Sequence, residues 1–195
     1  MGQASTLGPG EQAALIDAAG IAAVHRAQRP DAEGFVTNRT KYQLGCVHEA
    51  AHAVVATAVG KVAHWVMVAW SLDGAIRGLT YITSSPEEGS IPEPFVEGDF
   101  KSDRENLSLF CEVMNGGDWD SCIANLEGRL EPILERHWRA IKLLAGELER
   151  EGVVRRPAIE SIFGSHGAGP ASEFLLTEGS AVRSSSGAGP FGREV

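Results

Sequence analysis

Three side chains in this sequence have the types and the spacing for hydrolytic chemistry. They are His48, Glu49 and His52, in the string Val47-His48-Glu49-Ala50-Ala51-His52. On a helix, residues four apart share a face, so both imidazoles can bind one tetrahedral Zn²⁺. A carboxylate beside a ligand can reach a water held by that ion. The metal lowers the water's pKa towards ~7, and Glu49 can take its proton. An HExxH arises by accident in a chain like this with a probability on the order of one per cent, so its surroundings must decide. The alternative is a surface helix with incidental His and Glu. Val47, Ala51, Val54 and Val55 leave no long polar face, which favours a buried helix. Ionisable groups in a buried helix are costly unless paired or bound to metal.

The elements that must position these groups follow from periodicity. Leu44, Val47, Ala51, Val54 or Val55, and Ala58 recur near helical spacing, predicting a helix over Thr40 to Val59 that Gly60 stops. Before it, Glu11 to Gln28 reads as an Ala- and Ile-rich helix ended by Arg29-Pro30-Asp31. After it, VAHWVMVAW and GLTYIT flank Ser71-Leu72-Asp73-Gly74 and predict a hairpin or part of a small sheet. Ser84 to Asp99 holds three Pro and reads as a surface loop. Helix returns over 101–151. Leu107, Phe110, Cys111 and Met114 share a face, Gly116-Gly117 breaks the run, and Asp118 can cap the next helix. An apolar stripe from Leu126 to Leu148 follows, and Pro132 inside it predicts a kink or two abutting helices. Gly152 ends that run, Pro157 to Phe163 adds a turn or two, and the Gly/Ser/Ala-rich remainder from Gly164 reads as disordered. The fold class is α+β, mostly helical, with a small sheet or hairpin beside the zinc helix.

Composition narrows the function classes. The 195 residues include 17 Lys plus Arg against 26 Asp plus Glu, a formal charge of −9. That argues against a dedicated nucleic-acid binder, whose affinity rests on neutralising phosphates. No apolar run reaches the ~18–20 residues needed to span a bilayer. The start lacks the basic stretch and apolar block of a secretory signal. Cys46, Cys111 and Cys122 are too few and too scattered for a disulfide scaffold, and one must stay unpaired. A reducing cytoplasm is the simpler reading. The cysteines show no CxxC spacing, so a structural cysteine-zinc site is not expected.

HEAAHAVVATAVG resembles the zinc helix of FtsH-type AAA+ metalloproteases, whose usual form is HEAGHA. The likeness continues through Val62 to Ser84, similar to that family's strand–turn–strand segment, with Gly78-Leu79-Thr80 as its Gly-hydrophobic-Thr. Leu109-Phe110-Cys111-Glu112 resembles the helix carrying the family's Ala-Glu pair, and Gly117 to Cys122 lies where the family has its third-ligand segment. The resemblance implies that His48 and His52 bind zinc, that Glu49 is the catalytic Glu, and that Asp118 is the third ligand, with Asp120 its rival. It covers roughly residues 40 to 150. Ala51 stands where the family has Gly, and no P-loop or ATPase domain is present, so ATP-driven unfolding is not carried over.

The other candidates have plainer readings. His64 is expected at a strand edge or behind a ligand, and His137 in the core, satisfied by a hydrogen bond. Cys46 is expected as a small core residue. Glu112 either orients a ligand His or sits on the helix surface. The expected organisation is an N-terminal tip and helix over 1–39, an FtsH-like peptidase domain over 40–163, and a disordered tail over 164–195. The expected function is a cytoplasmic zinc metalloendopeptidase acting on flexible or unfolded polypeptides. A homo-oligomer or a separate ATPase partner stays open as its assembly. A non-catalytic zinc-stabilised interaction module, or another zinc amide hydrolase, is the alternative.

Overall fold

The computed structural model describes residues 7–29, 40–85, 102–115 and 118–166. Along the chain these form α1 (Pro9–Gln28), α2 (Lys41–Ala58), β1 (Val62–Trp70), β2 (Ile76–Thr83), α3 (Asp103–Asn115), α4 (Trp119–Glu151), β3 (Val153–Arg155) and α5 (Arg156–His166). The strands make one antiparallel sheet in the order β2-β1-β3. The mostly helical α+β architecture expected from the sequence is therefore present.

Local chemistry sets the ends of the central helix. Thr40 caps α2 reciprocally with Gln43: the Gln43 amide donates to Thr40 Oγ1 and the Thr40 amide donates to Gln43 Oε1. Such a capping box satisfies two backbone donors that would otherwise lack partners. At the other end Gly60 turns the chain with a φ of 87°, a conformation that favours glycine. Between these ends α2 is buried nearly all round from Cys46 to Ala58. It packs on α1, α4 and the hairpin, and α1 and α4 bury their apolar faces in the same core.

Of the two outcomes expected at Pro132, a division into abutting helices does not occur: α4 runs as one helix of 33 residues. An internal Pro costs about 3 kcal/mol by deleting a hydrogen bond and crowding the carbonyl four residues back. Here that carbonyl belongs to exposed Gly128, while Leu126, Leu130, Ile133 and Leu134 stay buried on the core face and hold the helix together. The third strand was not foreseen. Val153–Arg155 is too short to show alternation, yet it pairs with β1 through Trp65–Arg155, Val66–Val154 and Met67–Val153. It starts directly after Gly152, whose φ of 70° ends α4. Helix α5 carries the chain to His166, three residues into the segment read as tail. The rest of that segment, residues 86–99 of the expected surface loop, and the Gly116-Gly117 break lie outside the described residues.

Candidate metal centre

The HExxH segment lies in α2 between α1 on one side and β2 on the other. Ligand atoms of His48, Glu49 and His52 lie within 4.8 Å of one another, a group that can bind a metal ion. The two imidazoles meet edge to face, with ring centroids 4.6 Å apart. His52 is buried, and its Nδ1 lies 2.7 Å from the main-chain oxygen of Ile16 in α1. A carbonyl oxygen only accepts, so Nδ1 carries the proton and Nε2 is the nitrogen turned towards the site.

A carboxylate completes the cluster, and it belongs to Asp103. Its Oδ2 is 2.7 Å from His48 Nε2 and 3.3 Å from His52 Nε2. Two imidazole nitrogens and one carboxylate oxygen thus converge, a donor set that fits a tetrahedral ion with one position left open. Imidazole and carboxylate together suit zinc and other first-row divalent ions. Asp103 is in place because Ser102 and Glu105 form a capping box at the start of α3: the Ser102 amide donates to Glu105 Oε2 at 2.7 Å, and the Glu105 amide reaches Ser102 Oγ at 3.4 Å.

Asp118, the third ligand implied by the family resemblance, is not brought to the histidines. It is exposed at the N-cap of α4, where Oδ1 accepts from the Ser121 amide at 3.2 Å. Asp120, its rival, is exposed in the first turn of α4. In that position a capping carboxylate satisfies helix amides, which is reason enough for Asp118 to be there. Asp103 carries no family motif, but the Ser102-x-x-Glu105 pattern marks a helix start and was the available signal.

Glu49 is held from β2. Thr80 Oγ1 lies 2.7 Å from Glu49 Oε2 and 3.1 Å from the Glu49 main-chain oxygen, so one hydroxyl ties the carboxylate to its own backbone. Gly78, two residues earlier on the same strand, leaves the space: a Cβ there would overlap the Glu49 carboxylate. Gly20 of α1 does the same for His48, since a Cβ at position 20 would lie 2.6 Å from His48 Cε1. Neither glycine role was visible in the sequence.

The electrostatics follow from these contacts. Burial opposes ionisation of Asp103, but hydrogen bonds from both histidines outweigh it and hold the carboxyl well below the usual range. Burial also opposes a charged His52. The bond to Asp103, the charges of Glu49 and Asp103, and the Ile16 carbonyl overcome it and raise the imidazole to about 9. Asp17 of α1, which the sequence reading passed over, is pushed up to about 6 by burial and then by the charge of Asp103. A cavity of about 390 Å³ opens at this point, lined among others by Asp17, Glu49, His52, Thr80, Asp103 and Asn106.

The remaining candidates lie elsewhere. His64 Nε2 pairs with Thr83 Oγ1 at 2.7 Å across the hairpin. His137 is buried and stacked on Phe163 with centroids 4.9 Å apart, yet neither ring nitrogen has a hydrogen-bond partner among the described residues, contrary to the satisfied core histidine expected. Burial and the charge of Arg136 keep that ring below the usual histidine range. Glu112 is exposed. Cys46 is a buried free thiol, pushed up to about 12 by burial and by Glu149 and Glu49. Cys111 and Cys122 are joined in a disulfide between α3 and α4, a single bridge that the sequence reading did not foresee. No family model, curated protein or solved structure matches the chain.

Proposed function

We propose that the protein is a zinc-dependent metallohydrolase that cleaves peptide bonds in flexible or unfolded polypeptides. One observation carries the reading: the Nε2 atoms of His48 and His52 converge on Asp103 Oδ2 with the Glu49 carboxylate beside them. His48, His52 and Asp103 are the residues that hold zinc in this reading. Bound there, zinc supplies a Lewis acid and lowers the pKa of a water towards ~7.

The chain's own groups do the rest. Thr80 occupies Oε2 of Glu49, leaving Oε1 as the oxygen that accepts a proton from water and returns it to the leaving amine. The Ile16 carbonyl keeps His52 in the Nδ1–H tautomer, which leaves Nε2 as the nitrogen that would hold the metal. Gly78, Leu79 and Thr80 line the cavity, and among the described residues β2 is an edge strand of the sheet. An extended polypeptide can pair with that edge through its main chain, a sequence-tolerant mode that requires an unfolded substrate. The resemblance of residues 40–150 to FtsH-type proteases supports this chemistry, and an ATPase partner acting in trans would provide the unfolding step.

The test is hydrolysis of an unfolded protein by zinc-loaded wild type and Glu49→Gln. The variant is expected to keep its zinc and lose about 10²–10⁴-fold in rate. Full activity in Glu49→Gln refutes the mechanism. Running peptides beside simple acyl-amides separates a peptidase from another amide hydrolase.

A further inference from the structure

The stripe of α3 that begins at Asp103 ends at the disulfide. Asp103, Leu107 and Cys111 stand at i, i+4 and i+8, so they line one face of the helix. Asp103 touches the two histidines, Leu107 is buried, and Cys111 is bonded to Cys122 in the first turn of α4. Among the described residues the other fastenings of α3 are its contacts with α1, where Asn106 bonds to Asp17 and Phe110 lies beside Gly10. Its backbone packs on α1 and α4 but on neither α2 nor the sheet, and α2 is reached through the Asp103 side chain. Leu107 and Cys111 are its buried hydrophobics, Phe110 is half-buried, and Leu109 and Val113 are exposed. A helix of 13 residues has little stability of its own in water. Helix α4, in contrast, buries residues from Cys122 to Leu148 and packs on α2, which carries the histidines. The bridge therefore ties a weakly packed helix that supplies one donor to the rigid part that supplies the others.

We infer that the Cys111–Cys122 disulfide is a redox latch on the metal centre. The inference rests on the metal-binding reading of His48, His52 and Asp103. A dithiol reductant opens the latch by exchange. Its thiolate attacks one sulfur and forms a mixed disulfide, and its second thiol then releases the protein. Two electrons and two protons pass to Cys111 and Cys122, and the reductant becomes a cyclic disulfide. Both cysteines are buried, so exchange proceeds through local opening of α3. With the bridge gone, Leu107, Phe110 and the Asn106–Asp17 bond hold α3 to α1 alone, its tie to α4 is loosened, and Asp103 leaves the histidines. The oxidised chain is the metal-retaining form.

The experiment uses the full chain, oxidised or reduced with dithiothreitol and then desalted under nitrogen. Zinc affinity is read by titration, and the opening of α3 by hydrogen exchange of its amides. Reduction is expected to weaken zinc binding on the order of tenfold to a hundredfold and to speed exchange in α3 but not in α2 or α4. Cys111→Ser/Cys122→Ser, checked for native helicity, should match the reduced protein and ignore the reductant. Asp103→Ala should bind zinc weakly in both states, with no further loss on reduction. A chain that binds no zinc in either state defeats the metal reading and overturns the latch on that site with it, whereas measurable zinc binding with equal affinity in the two states overturns the latch alone.

Discussion

Replacing Gly20 with Ala should destabilise this protein, although the same change in an ordinary helix stabilises it. Removing a helical glycine normally gains about 0.5–1 kcal/mol. At position 20 the new methyl would lie 2.6 Å from His48 Cε1 and 2.7 Å from Nδ1 and Nε2. That is about 0.9 Å inside the ~3.5 Å at which carbon atoms meet. Overpacking of this kind costs about 1–3 kcal/mol, so after the propensity gain the net effect is a loss of up to about 2.5 kcal/mol, or a His48 ring swung off Asp103. Gly146 of α4 is the control, because a methyl there meets nothing within 4 Å. Gly146→Ala should gain the full propensity term, about 0.5–1 kcal/mol. The assay is urea unfolding of both variants beside wild type, with zinc titration of each. Gly20→Ala as stable as Gly146→Ala, with wild-type zinc affinity, would refute the packing of α1 against the histidine and the site geometry with it.

Two further outcomes are expected. Asp103→Ala should lose bound zinc in metal analysis by mass spectrometry, whereas Asp118→Ala should keep it and lose only a helix cap; the reverse would restore Asp118 as the ligand. In chelator-treated protein His52 is raised from 6.5 to about 9, so its pairing with Asp103 stabilises fully below about pH 6.5 and is lost as pH rises through 9. Denaturant midpoints across pH 6–10 should therefore fall, and Asp103→Asn should flatten that fall. Zinc competes with the same proton, so zinc affinity should instead rise over this range.

What the sequence revealed was the local part of the site. His48, Glu49 and His52 are readable because a helix turns spacing into geometry, and Thr40, Gly60, Asp118 and Gly152 are readable because caps and stops act within a few residues. Asp103 was not, since 51 residues separate it from His52 and no period connects α3 to α2. The glycines at 20 and 78 were equally silent: what matters there is the side chain they lack, and its absence counts only once another element is laid against it. The Cys111–Cys122 bridge depends on the angle between two helices, which spacing alone does not set. That α4 is not divided at Pro132 was hidden for a related reason, because the penalty is local and the core face that opposes it is not.

The group that selects the His52 tautomer is the main-chain carbonyl of Ile16, so no replacement of the Ile16 side chain deletes it. A saturation scan of α1 would report position 16 as an ordinary packed residue and miss its part in the metal centre. Substitutions that disturb the backbone are the informative ones. A proline at position 20 would crowd the very carbonyl that His52 reads, four residues back along the helix. Genetic tolerance at position 16 is thus no measure of what that residue contributes.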